Sequence, residues 1–241
     1  MNVWGITHRG IIREQNQDAF AQQTLADGRV VALVCDGMGG ARAGNIASSM
    51  AVEVFMQSFM TPEEETSDRV RMERAAEAAN RAVYQRAVSE ERCAGMGTTL
   101  VAALTDGRQA LILNEGDSRA YYISPREGIT RITRDHSLVE DLVQHGELTP
   151  EQARSHPHKN LITRALGAEP DLRADAFCQT LDEGDYLLLC SDGLSNQVTD
   201  QEILHEVIHG GEPDSCCDRL LDIALHRGAP DNVTAVLIQC S

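Results

Sequence analysis

The alternation of apolar and polar positions defines most of this chain. Period-two or wholly apolar runs predict strands at Val3–Thr7, Ala19–Leu25, Arg29–Cys35, Thr98–Leu104, Arg108–Asn114, Arg119–Ser124, Ala174–Leu181, Asp185–Ser191 and Asn232–Cys240. Helical spacing predicts helices over Ala43–Met60, Ser67–Glu90, His136–His145, Asp200–Ile208 and Asp214–His226. Two Asp-Gly pairs, Asp27-Gly28 and Asp106-Gly107, join adjacent strands and predict two-residue primed hairpin turns, whose positive φ suits glycine. Strands, two long helices, strands, helices and a last strand do not make a regular βαβα alternation. The order predicts an α+β fold, with antiparallel sheets packed on each other and helices outside. The acidic run Thr61–Ser67 reads as a solvated loop between the long helices, and the absence of repeats or a linker predicts one domain over residues 1–241.

Charge narrows the partners. Thirty-seven acids against 21 bases give a formal net charge of −16, and the bases are 20 arginines and a single lysine, Lys159. Such a chain repels nucleic-acid backbones and anionic membranes, so neither is an expected partner. The longest apolar runs, Val30–Cys35 and Tyr186–Cys190, fall far short of the ~20 residues that a membrane span needs. Met1–Thr7 shows no basic segment leading into an apolar one, and the seven cysteines form no paired motif, so a cytoplasmic protein with reduced thiols is expected.

The chemistry lies in aspartates at strand ends. Val31–Cys35 runs into Asp36-Gly37-Met38-Gly39-Gly40, and Tyr186–Cys190 runs through Ser191 into Asp192-Gly193. Asp231-Asn232 precedes Val233–Ile238, Ala110–Leu113 leads to Asp117, and Asp18 precedes Ala19-Phe20. Each alone fits an ordinary turn. Five together at the rims of buried strands need cations, and only Arg13 and Arg119 lie nearby in sequence. Divalent metal would supply the charge, and an all-oxygen ligand set suits hard ions such as Mg²⁺ or Mn²⁺, more than one of them.

Other templates fit less well. The glycine-rich stretch Gly37–Gly44 matches neither the dinucleotide pattern nor a GK[ST] phosphate loop, and Lys159 is nowhere near it in sequence. Its glycines read as letting backbone approach a metal-bound group. Cys35 and Arg42 are separated by six residues, where a cysteine-phosphatase loop has five, so Cys35 and Cys190 read as buried apolar side chains. The eight histidines are dispersed, with His156 and His158 the one close pair, which makes zinc a poor fit.

Together these residues resemble the metal-dependent serine/threonine protein phosphatases of type 2C, of bacterial type. The resemblance runs through Arg13-Glu-Gln-Asn-Gln-Asp18, Asp36–Gly40, Gly97-Thr98-Thr99, Gly116–Arg119, Ser191–Leu194 and Asp231–Thr234, six short motifs in family order over almost the whole chain. It implies a four-layer α/β/β/α sandwich, two antiparallel sheets flanked by helices, with a metal centre at one end. It implies that Asp36 bridges two Mn²⁺ or Mg²⁺ ions, with the Gly37 carbonyl, Asp192, Asp231 and Asp18 as further ligands, and that Asp117 with Asp192 holds a third. Arg13 would grip the substrate phosphate in a bidentate fork. His145–Gly167 is similar to the mobile flap of bacterial members. Two positions depart from the pattern: Gln17 stands where some members have Glu, and Met38 where eukaryotic members have a His proposed as general acid.

The expected activity is hydrolysis of phosphoserine and phosphothreonine in proteins by direct attack of metal-bound hydroxide, with Arg13 and Asp36 as catalytic residues. A bacterial Ser/Thr kinase and its substrates are the expected partners of a monomeric phosphatase. Two alternatives stand beside this: a catalytically silent relative serving as a regulatory binding module, and a different metal hydrolase such as a nuclease, which the net charge disfavours.

Overall fold

The computed structural model describes residues 1–61, 66–154 and 156–241. Most of the acidic run expected at 61–67 therefore lies outside the described residues. The chain opens with β1 (Asn2–His8), β2 (Asp18–Thr24) and β3 (Val30–Met38), followed by α1 (Gly40–Met60) and α2 (Asp68–Ser89). Then come β4 (Gly97–Thr98), β5 (Leu100–Thr105), β6 (Gln109–Glu115), β7 (Arg119–Ser124) and β8 (Gly128–Arg131). Short α3 (Leu138–Gln144) and α4 (Pro150–Arg154) precede β9 (Asp175–Thr180) and β10 (Tyr186–Cys190). The chain closes with α5 (Asp192–Ser195), α6 (Asp200–His209), α7 (Cys216–His226) and β11 (Val233–Gln239).

Two antiparallel sheets form, in the orders β1-β11-β10-β7-β8 and β2-β3-β5-β6-β9, with β4 paired to the end of β3. Alternation sorts their side chains. Val30, Ala32 and Val34 of β3 meet Leu187 and Leu189 of β10 and Val236 and Ile238 of β11 between the sheets. Val31, Leu33 and Cys35 face outward, under α1 and α2. The outward residues of the other sheet, among them Leu188 and Leu237, lie under α6 and α7. The layers are thus α/β/β/α, as the resemblance implies.

The two long helices show why this packing is stable. Ser67 caps α2 by accepting the Val70 amide, and Met72, Ala75, Ala76, Ala79, Val83 and Ala87 recur at helical spacing on its buried face. Alanine at four of those six positions lets α2 lie close to its neighbours. At α6, Thr199 and Glu202 complete a reciprocal capping box.

Several sequence expectations shift. Gly28 and Gly107 have φ of +87° and +86°, but Asp27 and Asp106 keep negative φ. The first hairpin is therefore a three-residue loop, 26–28, ending in a left-handed glycine and closed by Gly28 N–H donating to the Leu25 carbonyl at 3.0 Å. In the second, Thr105 pairs with Ala110 and the Asp106 amide donates to the Gln109 carbonyl, which leaves the expected two-residue primed turn one position on, at Gly107-Arg108. The aspartates serve by accepting backbone amides: Asp106 Oδ1 takes those of Arg108 and Gln109, each at 2.8 Å. The strand expected at Thr98–Leu104 divides at Thr99, whose flanks pair with different parts of β3. β8, α4 and α5 went unread because four or five residues are too few to establish a period.

Candidate active site

Inward alternation delivers the acids to one end of the sandwich. The positions that face the inter-sheet core on β3 continue from Val34 to Asp36, and those on β10 continue from Leu189 to Ser191. Those on β11 run back from Val236 to Thr234, and Phe20 of β2 is preceded two residues earlier by Asp18. Asp18 and Asp36 are direct partners in the β2–β3 ladder. The core stays apolar along the strands and turns polar where they end.

A cavity of about 510 Å³ opens there, lined by Arg13, Asp36, Gly37, Asp117, Asp192 and Asp231 among others. All the sequence-derived site residues except Asp18 meet in it. Asp18 lies behind the wall, where its Oδ2 accepts hydroxyl hydrogens from Ser191 at 2.7 Å and Thr234 at 2.6 Å. Thr99 braces the opposite side: its Oγ1 accepts the Asp36 amide at 2.9 Å and lies 2.7 Å from Ser118 Oγ. Asn232 staples the loop that bears Arg13. Its Nδ2 donates to the Arg9 and Gln15 carbonyls and its Oδ1 accepts the Gln17 amide. Ser191, Thr234, Thr99 and Asn232 stand within the motifs that carry the resemblance but had no role assigned, because a Ser, Thr or Asn on a strand does not reveal its partner; their inward parity was the available clue.

The glycines serve chain packing more than a phosphate. A Cβ on Gly37 would stand 2.0 Å from the Gly44 carbonyl oxygen, and one on Gly44 would stand 2.6 Å from the Gly37 oxygen. The end of β3 thus lies directly against the first turns of α1. Gly193 is equally close, its Cβ falling 1.9 Å from the Asn232 oxygen, which lets α5 seat on the start of β11.

Electrostatics reveal what the site lacks. Burial, reinforced by Asp18 and Asp192, holds the Asp36 carboxyl well above its ordinary range, and burial with Asp192 does the same to Asp117. Burial pushes Asp192 up to about 6, and it pushes Asp18 up to about 7 against the pull of its two hydroxyl donors. Asp18 Oδ1 and Asp192 Oδ1 are buried without a hydrogen-bond partner. The nearby arginines do not resolve this. Arg13 is engaged with Asp231 at 2.7 Å, while Arg119 turns to Asp135, with contacts of 2.9, 3.1 and 2.6 Å. Buried carboxylate oxygens without a hydrogen-bond partner, with both neighbouring arginines engaged by other acids, fit divalent ions. Among the described residues, no three Asp, Glu, His or Cys side chains enclose a point by themselves. Backbone oxygen and water must therefore complete any metal shell.

Lys159, remote in sequence from the glycine-rich stretch, lines a second cavity of about 270 Å³ whose wall includes Asp117 and Asp192. Cys35 is fully buried and its thiol is pushed far above the usual range by that burial, so it is no nucleophile. Six of the seven cysteines are buried, and Cys178 is exposed.

Comparison with known proteins agrees with this geometry. Residues 9–218 match the protein phosphatase 2C family. The chain is 37% identical to the serine/threonine phosphatase Stp of Listeria innocua over 237 residues, covering 97% of this chain and 93% of that protein. The serine/threonine phosphatase of S. agalactiae superimposes with a TM-score of 0.92 at 35% identity, covering 100% of this chain and 99% of that one. The catalytic domain of the phosphatase PstP, solved with two manganese ions, superimposes with a TM-score of 0.84 at 34% identity, covering 98% and 96%. The chain belongs to the protein phosphatase 2C family and is a metal-dependent protein-serine/threonine phosphatase.

Proposed function

We propose that this enzyme hydrolyses phosphoserine and phosphothreonine in proteins with the help of Mn²⁺ or Mg²⁺. The observation that carries this reading is the meeting of Asp36, Asp117, Asp192 and Asp231, from four separate strand ends, in one cavity with Arg13 at its side. Asp36, Asp192 and Asp231, with Asp18 and the Gly37 carbonyl, would hold two ions, and Asp117 with Asp192 a third. When bound, the ions supply the charge that draws in a phosphate dianion and acidify the attacking water.

The chain's own residues orient the reaction. Arg13, half-exposed and joined to Asp231 by one contact, offers its remaining donors to the phosphate oxygens. Ser191 and Thr234 hold Asp18 in one rotamer, and Asn232 keeps the Arg13 loop against the start of β11. Met38 lines the cavity and has no proton to give, so the leaving alkoxide takes its proton from water.

We read the enzyme further as a cytoplasmic monomer opposing a Ser/Thr kinase. Its net charge of −16 supports protein over nucleic-acid partners, and no described helix is long and apolar enough to cross a membrane. The test is turnover of a phosphothreonyl peptide and of para-nitrophenyl phosphate. Activity should need Mn²⁺ or Mg²⁺, vanish with EDTA and survive iodoacetamide. Metal-independent turnover, or loss on alkylation, would overturn the reading.

A further inference from the structure

Asp117 stands on a single sharp residue between β6 and β7. Gly116 has φ +107°, and a Cβ there would fall 2.6 Å from Thr99 Cγ2. Both backbone polar groups of Gly116 bond to His136, and its carbonyl also accepts Asn114 Nδ2 at 3.3 Å. The Gly116 amide donates to His136 Nδ1 at 3.0 Å, and the His136 amide donates to the Gly116 carbonyl at 2.9 Å. An Nδ1 that accepts a hydrogen bond carries no proton. The neutral ring therefore bears its hydrogen on Nε2, which lies 3.1 Å from Asp175 Oδ2.

His136 is 5% exposed and also reaches the far wall of the cavity. Its carbonyl accepts the Thr163 amide at 2.8 Å, and two residues on, the Leu138 amide donates to the Leu161 carbonyl at 2.9 Å. Asn160 and Ile162, interleaved with those residues, line the catalytic cavity. The next residue, Arg164, returns to the same cluster, donating to Asp175 Oδ1 at 3.2 Å and to Glu115 Oε2 at 3.0 Å. The buried imidazole thus joins the backbone that carries Asp117 to the start of β9, while the segment that walls the cavity is tied to the His136 main chain and, through Arg164, to the same Asp175.

We propose that His136 is a positioning residue that sets Asp117, through its ring, and the wall at 160–163, through its main chain and the Asp175–Arg164 pair, in a fixed relation, so that ion affinity at Asp117 and substrate access are coupled at one residue. This rests on the reading of Asp117 as a metal ligand. Groups that orient metal ligands without touching the ion typically matter tenfold to a hundredfold in affinity.

Asparagine and glutamine separate the two ring nitrogens. The oxygen of His136→Asn can replace Nδ1 at the Gly116 amide, whereas the amide of His136→Gln can replace Nε2 at Asp175 but leaves Gly116 unpaired. Mn²⁺ binding to the full chain, followed by the electron-spin signal of free Mn²⁺, is the first measurement. The ion lost in Asp117→Asn should bind about tenfold more weakly to His136→Gln and within about twofold of normal to His136→Asn. Amide hydrogen exchange should speed up at 116–117 and 161–163 together in the Gln variant and less in the Asn variant. Equal behaviour of the two variants, or exchange confined to one of the two segments, overturns the proposal. Should the unaltered protein bind no Mn²⁺, the metal reading falls, and the exchange result alone decides for or against the positioning role. Should His136→Gln not fold, Asp175→Ala carries the test: freeing Nε2 should loosen both segments, and unchanged protection at both would overturn the proposal.

Discussion

Two arginines lie beside the acids and do opposite work. Arg119 is mostly covered, its side chain 22% exposed, and it grips Asp135, 9% exposed, through three contacts. Arg13 is 51% exposed and touches Asp231, 28% exposed, once. The covered Arg119 is held in place by these contacts and by Tyr121 Oη at 3.2 Å, and breaking the pair would leave a buried, poorly compensated charge. An exposed single contact is worth little and can be exchanged for a better acceptor. The difference fits a structural counter-ion at Arg119 and the proposed phosphate-binding role of Arg13, which sequence distance from the aspartates alone does not separate.

The sharpest break of this comparison removes an acid that neither arginine neutralises. Asp192→Ala should lower phosphopeptide turnover about a thousandfold, several kcal/mol of electrostatic stabilisation. Its melting temperature should hold or rise, because a buried repelling carboxyl is gone, and paired assays of turnover and melting check this. Arg119→Ala should cost about 3 kcal/mol of stability by leaving buried Asp135 with only the longer 3.6 Å contact to Arg131, read as a drop of about 10 °C in thermal melting. Arg13→Ala should leave melting within a degree or two while kcat/KM falls about tenfold to a hundredfold, with Arg13→Lys recovering part of the loss. Swapped outcomes for Arg119 and Arg13 would reverse the assignment.

The smallest expected effect concerns pH. Burial holds the His136 imidazole below its ordinary value despite the hydrogen bond to Asp175. In the unfolded chain the same ring takes up a proton near pH 6.5, so below that pH the unfolded state binds more protons and stability rises with pH. This contribution is complete above about pH 7.5 and is lost as pH falls through about 6.5 toward the lower folded value. The raised carboxyls of Asp18 and Asp192 give a slope of opposite sign that the protein and His136→Asn share. The measurement is therefore the difference between their urea midpoints at pH 5.5, 6.5 and 7.5, which should change with pH in the direction of the lost His136 contribution.

The fold was readable because its strands are apolar on the face they bury and its long helices keep strict spacing. The Val31–Cys35 run, with Asp36 at its tip, shows both a strand and where it stops. The site was readable in its acids for the same reason: a charge ending an apolar run is conspicuous. What surrounds those acids was not. Ser191 and Thr234 look like ordinary strand residues until β10 and β11 bring them to Asp18, more than 170 residues away in sequence. His136 lies between a strand and a short helix, and its value depends on contacts to residues 116, 163 and 175 that no local pattern encodes. Asp18 itself was legible as an acid, yet its seat behind the cavity wall follows from the β2–β3 ladder register.

The cysteine distribution has a practical side. Since six thiols are shielded and Cys178 on β9 is open, a bulky maleimide should attach at a single place without any engineered cysteine. That place is three residues along the strand from Asp175, the acid that joins His136 to Arg164. By alternation Cys178 points to the other face of β9, the face that α2 covers, so a spin label or fluorophore there would sit on rigid sheet away from the pocket and report on the outer layer as ions or phosphopeptides are added.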